Sequence, residues 1–426
     1  MTSTAKFKID RTSLQNRGFY KLLLYAVILG AIVGGATALF LEVLHWLEHF
    51  IWEEVPHLLP GFGSLPFFTL IVSVIGGLLV GICIHFFGEY PMELKEALED
   101  FRAHGRFDET HVWQGVVTAL VSLGFAASLG PEAALVGLAG GLGSLAARFI
   151  KASGREAQMM SYFSMSGALG AFFRSPLGGA ALPVETPDDA ELPAGWMFIA
   201  GTLAGLAGLM TFIWISPGGL FDFDWFPYQP DPRQMAGDIL IGAVLAVLGG
   251  LAGWVYLNLE HYLRALMAPL FNQKILRGVI GGLGLGLLAS FFPLVQFSGQ
   301  HGIQTIVDEG AQMGILFLLL TALAKMIATP LCLATGYKGG QFFPIMMSAT
   351  ALGTAVSLLA PVAHPMVSIA AVMGAMLGAV MRKPLAVILL LIFLFPQNLW
   401  LVMIAGTFIG VMLPLKDPTA HPQPAA

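Results

Sequence analysis

Ser128-Leu129-Gly130-Pro131-Glu132-Ala133-Ala134-Leu135 sets a proline and a carboxylate inside a stretch that is otherwise apolar. Pro131 ends one helix and can open the next, because proline lacks the N–H that a helix interior needs and a first turn does not. Glu132 then falls in that first turn. It is the sole acidic residue between Glu109 and Glu156. A helix start buried in a membrane points free N–H groups and a positive dipole end into the protein, which suits an anion. A carboxylate at that place either competes with the anion as a gate or caps its own helix.

The surrounding chain fixes the class as an all-α polytopic membrane protein. Charged residues make up 11% of 426 residues and the mean hydropathy is +0.78, where soluble domains carry about a quarter charged residues. The apolar runs are continuous, whereas barrel strands alternate. A net charge of −5 with no basic tract excludes nucleic acid as a partner. Cys83 and Cys332 lie far apart in apolar runs, and the 10 histidines show no metal-ligand spacing. No metal or cofactor is expected.

Lysine and arginine set the expected orientation. The N-terminal tail (Lys6, Lys8, Arg11, Arg17, Lys21), the 88–110 stretch (Lys95, Arg102, Arg106) and the 264–277 stretch (Arg264, Lys274, Arg277) are basic, and read as cytoplasmic. No small-residue cleavage site follows the first apolar run, so the start is expected to be uncleaved. Stretches 51–64 and 216–232 carry no Lys or Arg and read as external. Many apolar segments fall short of the ~20 residues of a clean span. The 51 glycines and 25 prolines also fall within the apolar sequence. Broken helices at membrane depth are tolerated where they line a cavity, so they point to a transport path.

The chain also repeats itself. Gly34-Gly35 and then His45-Trp46-Leu47 match Gly249-Gly250 and then His261-Tyr262-Leu263. Gly130-Pro131-Glu132 matches Gly340-Gln341-Phe342-Phe343-Pro344, and Arg174-Ser175-Pro176-Leu177 matches Arg382-Lys383-Pro384-Leu385. The offsets are 216 (His45 to His261), 213 (Pro131 to Pro344) and 208 (Pro176 to Pro384). Two halves of about 200 residues with broken helices are the layout of inverted-repeat transporters, whose sites lie between the halves. The expected divisions are a tail at 1–21, a first membrane repeat at 22–215, a connecting loop at 216–235, a second repeat at 236–415 and a short tail at 416–426, with no regulatory domain.

These motifs resemble those of the CLC family of chloride channels and proton-coupled anion exchangers. Thr335-Gly336-Tyr337-Lys338-Gly339-Gly340-Gln341-Phe342-Phe343-Pro344 is similar to its G-G-x-F-x-P anion-binding motif. Ser128 to Pro131 resembles G-R/K-E-G-P, and Gly88-Glu89-Tyr90-Pro91 resembles G-S-G-I-P. Phe172 to Glu185 resembles its Asn-Ala-Pro-Leu helix ending in a glutamate. The resemblance implies a divergent prokaryotic member, multi-pass in the bacterial inner membrane. It also implies a homodimer with one path per subunit for chloride or another small inorganic anion, and no cofactor. Helix N-termini would line the path, with the Phe342 N–H facing the ion and its ring on the wall. Helix ends hold an anion less tightly than a full positive charge, and conduction needs binding that is easy to leave.

This chain departs from the family pattern in three places. The family's gating glutamate aligns with Leu129 or Gly130, neither of which ionises, and Glu132 follows as the candidate gate or cap. The family's inner proton-relay glutamate aligns with Thr186, and Glu185 matches its neighbour, leaving Glu185 and Thr186 as inner-side candidates. The family's C-terminal pore tyrosine has no equivalent, and the first motif lacks its serine, although Tyr90 lies near. The anion-binding candidates are therefore Ser128, Leu129, Gly130, Pro131, Glu132, Gly340, Gln341, Phe342, Phe343, Gly88 and Tyr90. The Gln341 amide could bias the choice among chloride, nitrate, bromide and fluoride.

Lys325 and Lys338 could draw anions to the mouth, and Arg174 and Arg382 read as ties for loop carbonyls. The leading function is an anion channel or uniporter. A proton-coupled exchanger using Glu132, or a fluoride-selective transporter, is the alternative. An organic or metal carrier would need more polar spans. An intramembrane prenyltransferase rests on the single acid cluster Asp188-Asp189-Ala190-Glu191, so no enzyme is expected.

Overall fold

The computed structural model describes residues 17–58, 67–104, 107, 109–152, 154–185, 195–217, 225–229, 235–361, 363–415 and 418. The acid cluster at 188–191 and Thr186 lie outside these residues. The first half runs α1 (Arg17–His49), α2 (Val55–Leu58), α3 (Phe68–Phe87), α4 (Leu94–His104), α5 (Val112–Gly124), α6 (Glu132–Phe149), α7 (Arg155–Phe172), α8 (Pro176–Ala181) and α9 (Gly195–Ile215). The second runs α10 (Met235–Met267), α11 (Lys274–Phe291), α12 (Gln300–Met313), α13 (Ile315–Ala334), α14 (Phe342–Leu359), α15 (Pro365–Met381), α16 (Pro384–Leu391) and α17 (Trp400–Met412). Among the described residues, 7 helices are long and apolar enough to cross a membrane. Their outward faces are apolar, as at Trp214, Leu240 and Leu316, which suits a lipid surround.

The packing is doubled. α1 lies on α7 and α9, and α10 on α15 and α17. α6 packs on α7 as α14 packs on α15, and α8 on α9 as α16 on α17. Across the halves, α3 meets α11 and α8 meets α16. The close approaches need glycine. A Cβ at Gly34 would overlap the backbone of Gly208, and one at Gly77 would overlap that of Gly278. Small residues of this kind let membrane helices touch backbone to backbone.

One antiparallel bridge joins the halves at their centre. The Gly130 N–H donates to the Gly340 carbonyl at 2.8 Å, and the Gly340 N–H donates back at 2.6 Å. Matching residues thus exchange bonds antiparallel, as inverted repeats meeting at their centre would. The bridge also corrects the repeat register. Gly130 pairs with Gly340, an offset of 210 (340 − 130). Pro131 does not pair with Pro344: it precedes α6, whereas Pro344 sits inside the first turn of α14.

The Pro176 and Pro384 turns show the same doubling. Arg174 and Arg382 hold left-handed backbone angles, φ 52° and 50°. The next residue in each half reaches across. Ser175 Oγ donates to the Leu389 carbonyl at 2.6 Å, and Lys383 Nζ donates to that of Leu182 at 2.9 Å.

Candidate functional site

α6 begins at Glu132, as the Pro131 break predicts. Its side chain does more than cap its own helix. Glu132 is fully buried, and its Oε1 accepts the Phe343 N–H at 3.3 Å, from the first turn of α14. Its own backbone N–H also acts on the carboxylate. Oε2 has no hydrogen-bond partner among the described residues. A Cβ at Gly130 or at Gly340 would overlap this carboxylate. The acid therefore rests on the Gly130–Gly340 bridge, between two helix starts whose dipoles favour negative charge. A buried carboxylate oxygen left unpaired is costly, so this arrangement is only half satisfied.

Two cavities reach the bridge region and share no lining residue. The larger, about 490 Å³, is lined by Glu93, Glu260, Arg264, Gly339, Gly340 and Gln341 among others. The smaller, about 40 Å³, reaches Leu129 and Pro131 from beside His45, Glu48, Gln300 and His301. In the larger one, Arg264 bonds Glu93 at 2.5 Å and Glu260 at 2.9 Å. Gln341 forms the wall next to Gly340. Its Oε1 accepts the hydroxyl of buried Tyr256 at 2.7 Å. Tyr256 escaped sequence reading because nothing local marks it; its partner is 85 residues away.

The phenylalanines differ from expectation. The Phe343 N–H, not that of Phe342, meets the carboxylate. Both rings are fully buried and pack with Phe172 and Phe173 at the end of α7, with centroids 4.9 Å (Phe342–Phe173) and 5.4 Å (Phe343–Phe172) apart. Neither ring lines the two cavities. Ser128 is buried with its Oγ 3.3 Å from Thr329 Oγ1 in α13. Gly88 ends α3 at φ 89°. Tyr90 stacks on His111 with centroids 4.2 Å apart, and faces a separate cavity that neither Gly130 nor Gly340 lines. The first motif thus stays off the bridge.

Both lysines prove structural. Lys325 is fully buried, and its Nζ donates to the carbonyls of Val295, Gln296 and Phe297 at 2.9, 3.4 and 2.7 Å. It ties down the loop before α12. Lys338 Nζ donates to Glu89 at 3.1 Å, and Arg277 donates to the other Glu89 oxygen at 2.5 Å. Burial alone would raise the Glu89 pKa, but Lys338 and Arg277 outweigh it and hold the carboxyl below its ordinary value. Glu185 is also spoken for. Its Oε1 and Oε2 accept the N–H groups of Leu385 and Ala386 at 2.8 and 2.6 Å. It caps α16, whose own N-cap, Lys383, supplies no acceptor. α8 has Ser175 for that task, accepting from Gly178.

Two inverted halves of broken helices, with a buried acid at their junction and two cavities that reach it, define a polytopic membrane transporter. A family profile described as "Voltage gated chloride channel" matches residues 76–414, and the chain belongs to this family, the CLC family of anion transporters. Its curated relatives include a protein described as "Putative ion-transport protein YfeO" from Escherichia coli O17:K52:H18, 28% identical over 341 residues, 78% of each chain. The protein of the same name from Escherichia fergusonii is similar to the same extent. The fold is similar to that of a slow cyanobacterial Cl⁻/H⁺ antiporter (TM-score 0.75, 20% identity, 93% of this chain and 96% of that one). It is also similar to that of a CLC-type fluoride/proton antiporter (TM-score 0.71, 18% identity, 95% and 97%).

Proposed function

We propose that the chain carries chloride or a similarly small anion by uniport, along a path from one cavity to the other across the Gly130–Gly340 bridge, with Glu132 as the gate. The observation that carries this reading is the Glu132 carboxylate itself. It sits between two helix starts, with one oxygen unpartnered among the described residues, in the place an anion would take. When ionised it holds that place; when protonated it gives up the Phe343 N–H to an anion. The basic 88–110 and 264–277 stretches put the larger cavity on the cytoplasmic side. Gln341 then offers an inner-side amide donor, and a homodimer would carry two such paths.

Uniport is favoured over exchange because Glu185 is committed to α16 through two short bonds. A second reading, proton-coupled exchange, draws support from one observation. Tyr256 and Gln341 form a hydrogen-bonded link between the bridge and the helix that carries Glu260. Purified protein in liposomes with a chloride gradient separates the two. Anion efflux without net proton uptake is expected. Uphill proton movement driven by chloride would overturn uniport, and no flux of chloride, bromide, nitrate or fluoride would overturn the transport reading.

A further inference from the structure

We propose that Trp225-Phe226-Pro227-Tyr228, in the segment between the two repeats, is a strap that positions the first turn of α14 and so sets how firmly the Phe343 N–H holds Glu132. The inference rests on the reading of Glu132 as the gate and adds a positioning residue, Trp225, to it. Connecting segments usually run over the surface. This one turns inward: Trp225 and Phe226 are 3% and 2% exposed. Trp225 meets the ring of Phe343 in a T-shaped contact, centroids 6.3 Å apart. Phe226 stacks on Phe395, beyond the end of α16, at 4.4 Å. The Tyr228 hydroxyl donates to Asp238, in the first turn of α10, at 2.5 Å. The Tyr228 ring lies 5.0 Å from that of His364, the N-cap of α15. The strap thus touches the starts of α10, α14 and α15.

Phe343 is where the strap meets the site. Its N–H is the α14 group that the Glu132 carboxylate accepts. Its ring is held by Phe172 and Phe173 at the end of α7, at 5.4 and 5.7 Å, and by Trp225 from the strap. Aromatic contacts are directional, so this enclosure fixes how the first turn of α14 presents its N–H. Removing the indole leaves a void beside a buried ring, and neighbours relax into such a void only in part. The bond to Glu132, at 3.3 Å, is already long for a carboxylate acceptor. A small displacement of the turn therefore weakens it. That bond favours the ionised acid. Weakening it favours the protonated, open form, so flux should switch on at higher pH. Other titratable groups near the path are His45, Glu48 and His301 in the smaller cavity and Glu93, Glu260 and Arg264 in the larger. Asp238 and His364 face the strap at Tyr228. Substitutions at Trp225 leave all of these in place.

Chloride flux across pH, measured on the full chain in liposomes, tests the strap. Trp225→Leu should move the pH of half-maximal flux upward by about one unit, and Trp225→Phe, which keeps a ring, by less. Tyr228→Phe frees the other end of the strap from Asp238 and should also give a smaller upward shift; it decides the matter should Trp225→Leu fail to fold. Glu185→Ala is the structural control: it should lower the melting temperature and leave the midpoint where it was. In a chain that also carries Glu132→Gln, Trp225→Leu should leave the pH profile unchanged. A wild-type midpoint in both Trp225→Leu and Tyr228→Phe overturns the strap and leaves the gate standing. An equal shift in Glu185→Ala, or a shift that persists with Glu132→Gln, overturns the strap as well, since the effect then does not pass through the gate. Wild-type flux that does not vary with pH overturns the gate and the strap together.

Discussion

Glu132 and Glu185 are both buried carboxylates of the first half that reach the start of a helix in the second half, and they differ in how completely that helix satisfies them. Glu185 accepts two N–H groups of α16 at 2.8 and 2.6 Å, one on each oxygen. Glu132 accepts one N–H of α14 at 3.3 Å, and its Oε2 has no partner among the described residues. Charge-assisted bonds of the first kind are short and strong. The fully bonded acid is a fixture of the fold, standing in for the cap that Lys383 does not supply. The half-bonded one keeps a helix start occupied without locking it, as a gate must.

The largest effect expected from breaking this contrast is on the Glu185 side. Glu185→Ala leaves two buried N–H groups unpaired and should cost about 3 kcal/mol of stability, read by thermal unfolding in detergent. Anion flux per folded molecule should be unchanged. A loss of flux with stability intact would make Glu185 part of the path and dissolve the contrast.

A smaller effect is expected at Tyr256. Tyr256→Phe removes one hydroxyl bond, worth about 1 kcal/mol, and releases the Gln341 amide. The half-saturating anion concentration on that side should rise about fivefold, with stability nearly unchanged. An unaltered concentration dependence would remove Gln341 from the path.

The smallest effect concerns a paired acid away from the bridge. Glu89 is held below its ordinary pKa by Lys338 and Arg277, against the opposing effect of its burial. Its contribution to stability is therefore full above the unfolded carboxylate range, about pH 4.3, and is lost as pH falls through the lower folded value. Glu89→Gln should lower the melting temperature at neutral pH, and the difference from the wild type should vanish in acid. A difference that persists in acid would assign the effect to packing.

The sequence shows why some of this was legible. Pro131 next to a lone acid located the start of α6, and the doubled motifs located the two halves, because both signals are local or periodic. The register at the centre was not, since a bridge between Gly130 and Gly340 is fixed by backbone contact and not by proline position. Whether Glu132 caps its own helix or reaches α14 depends on a residue 211 positions away. Glu185 left a faint trace. The Pro384 helix begins after a lysine, where the Pro176 helix begins after a serine, so one of two matching starts lacked a cap. Lys325 and Lys338 were visible as charges in apolar surroundings. Their targets, a bent loop and Glu89, were visible only in three dimensions.

The central claim is that the Glu132 carboxylate holds the anion's place. It is tested most directly by anion flux measured across pH in liposomes containing the wild type or Glu132→Gln. Wild-type flux should rise as pH falls, because protonation frees the Phe343 N–H, and the variant should show high flux at every pH. A variant with the wild-type pH profile and rate would contradict the account and leave Glu132 a cap.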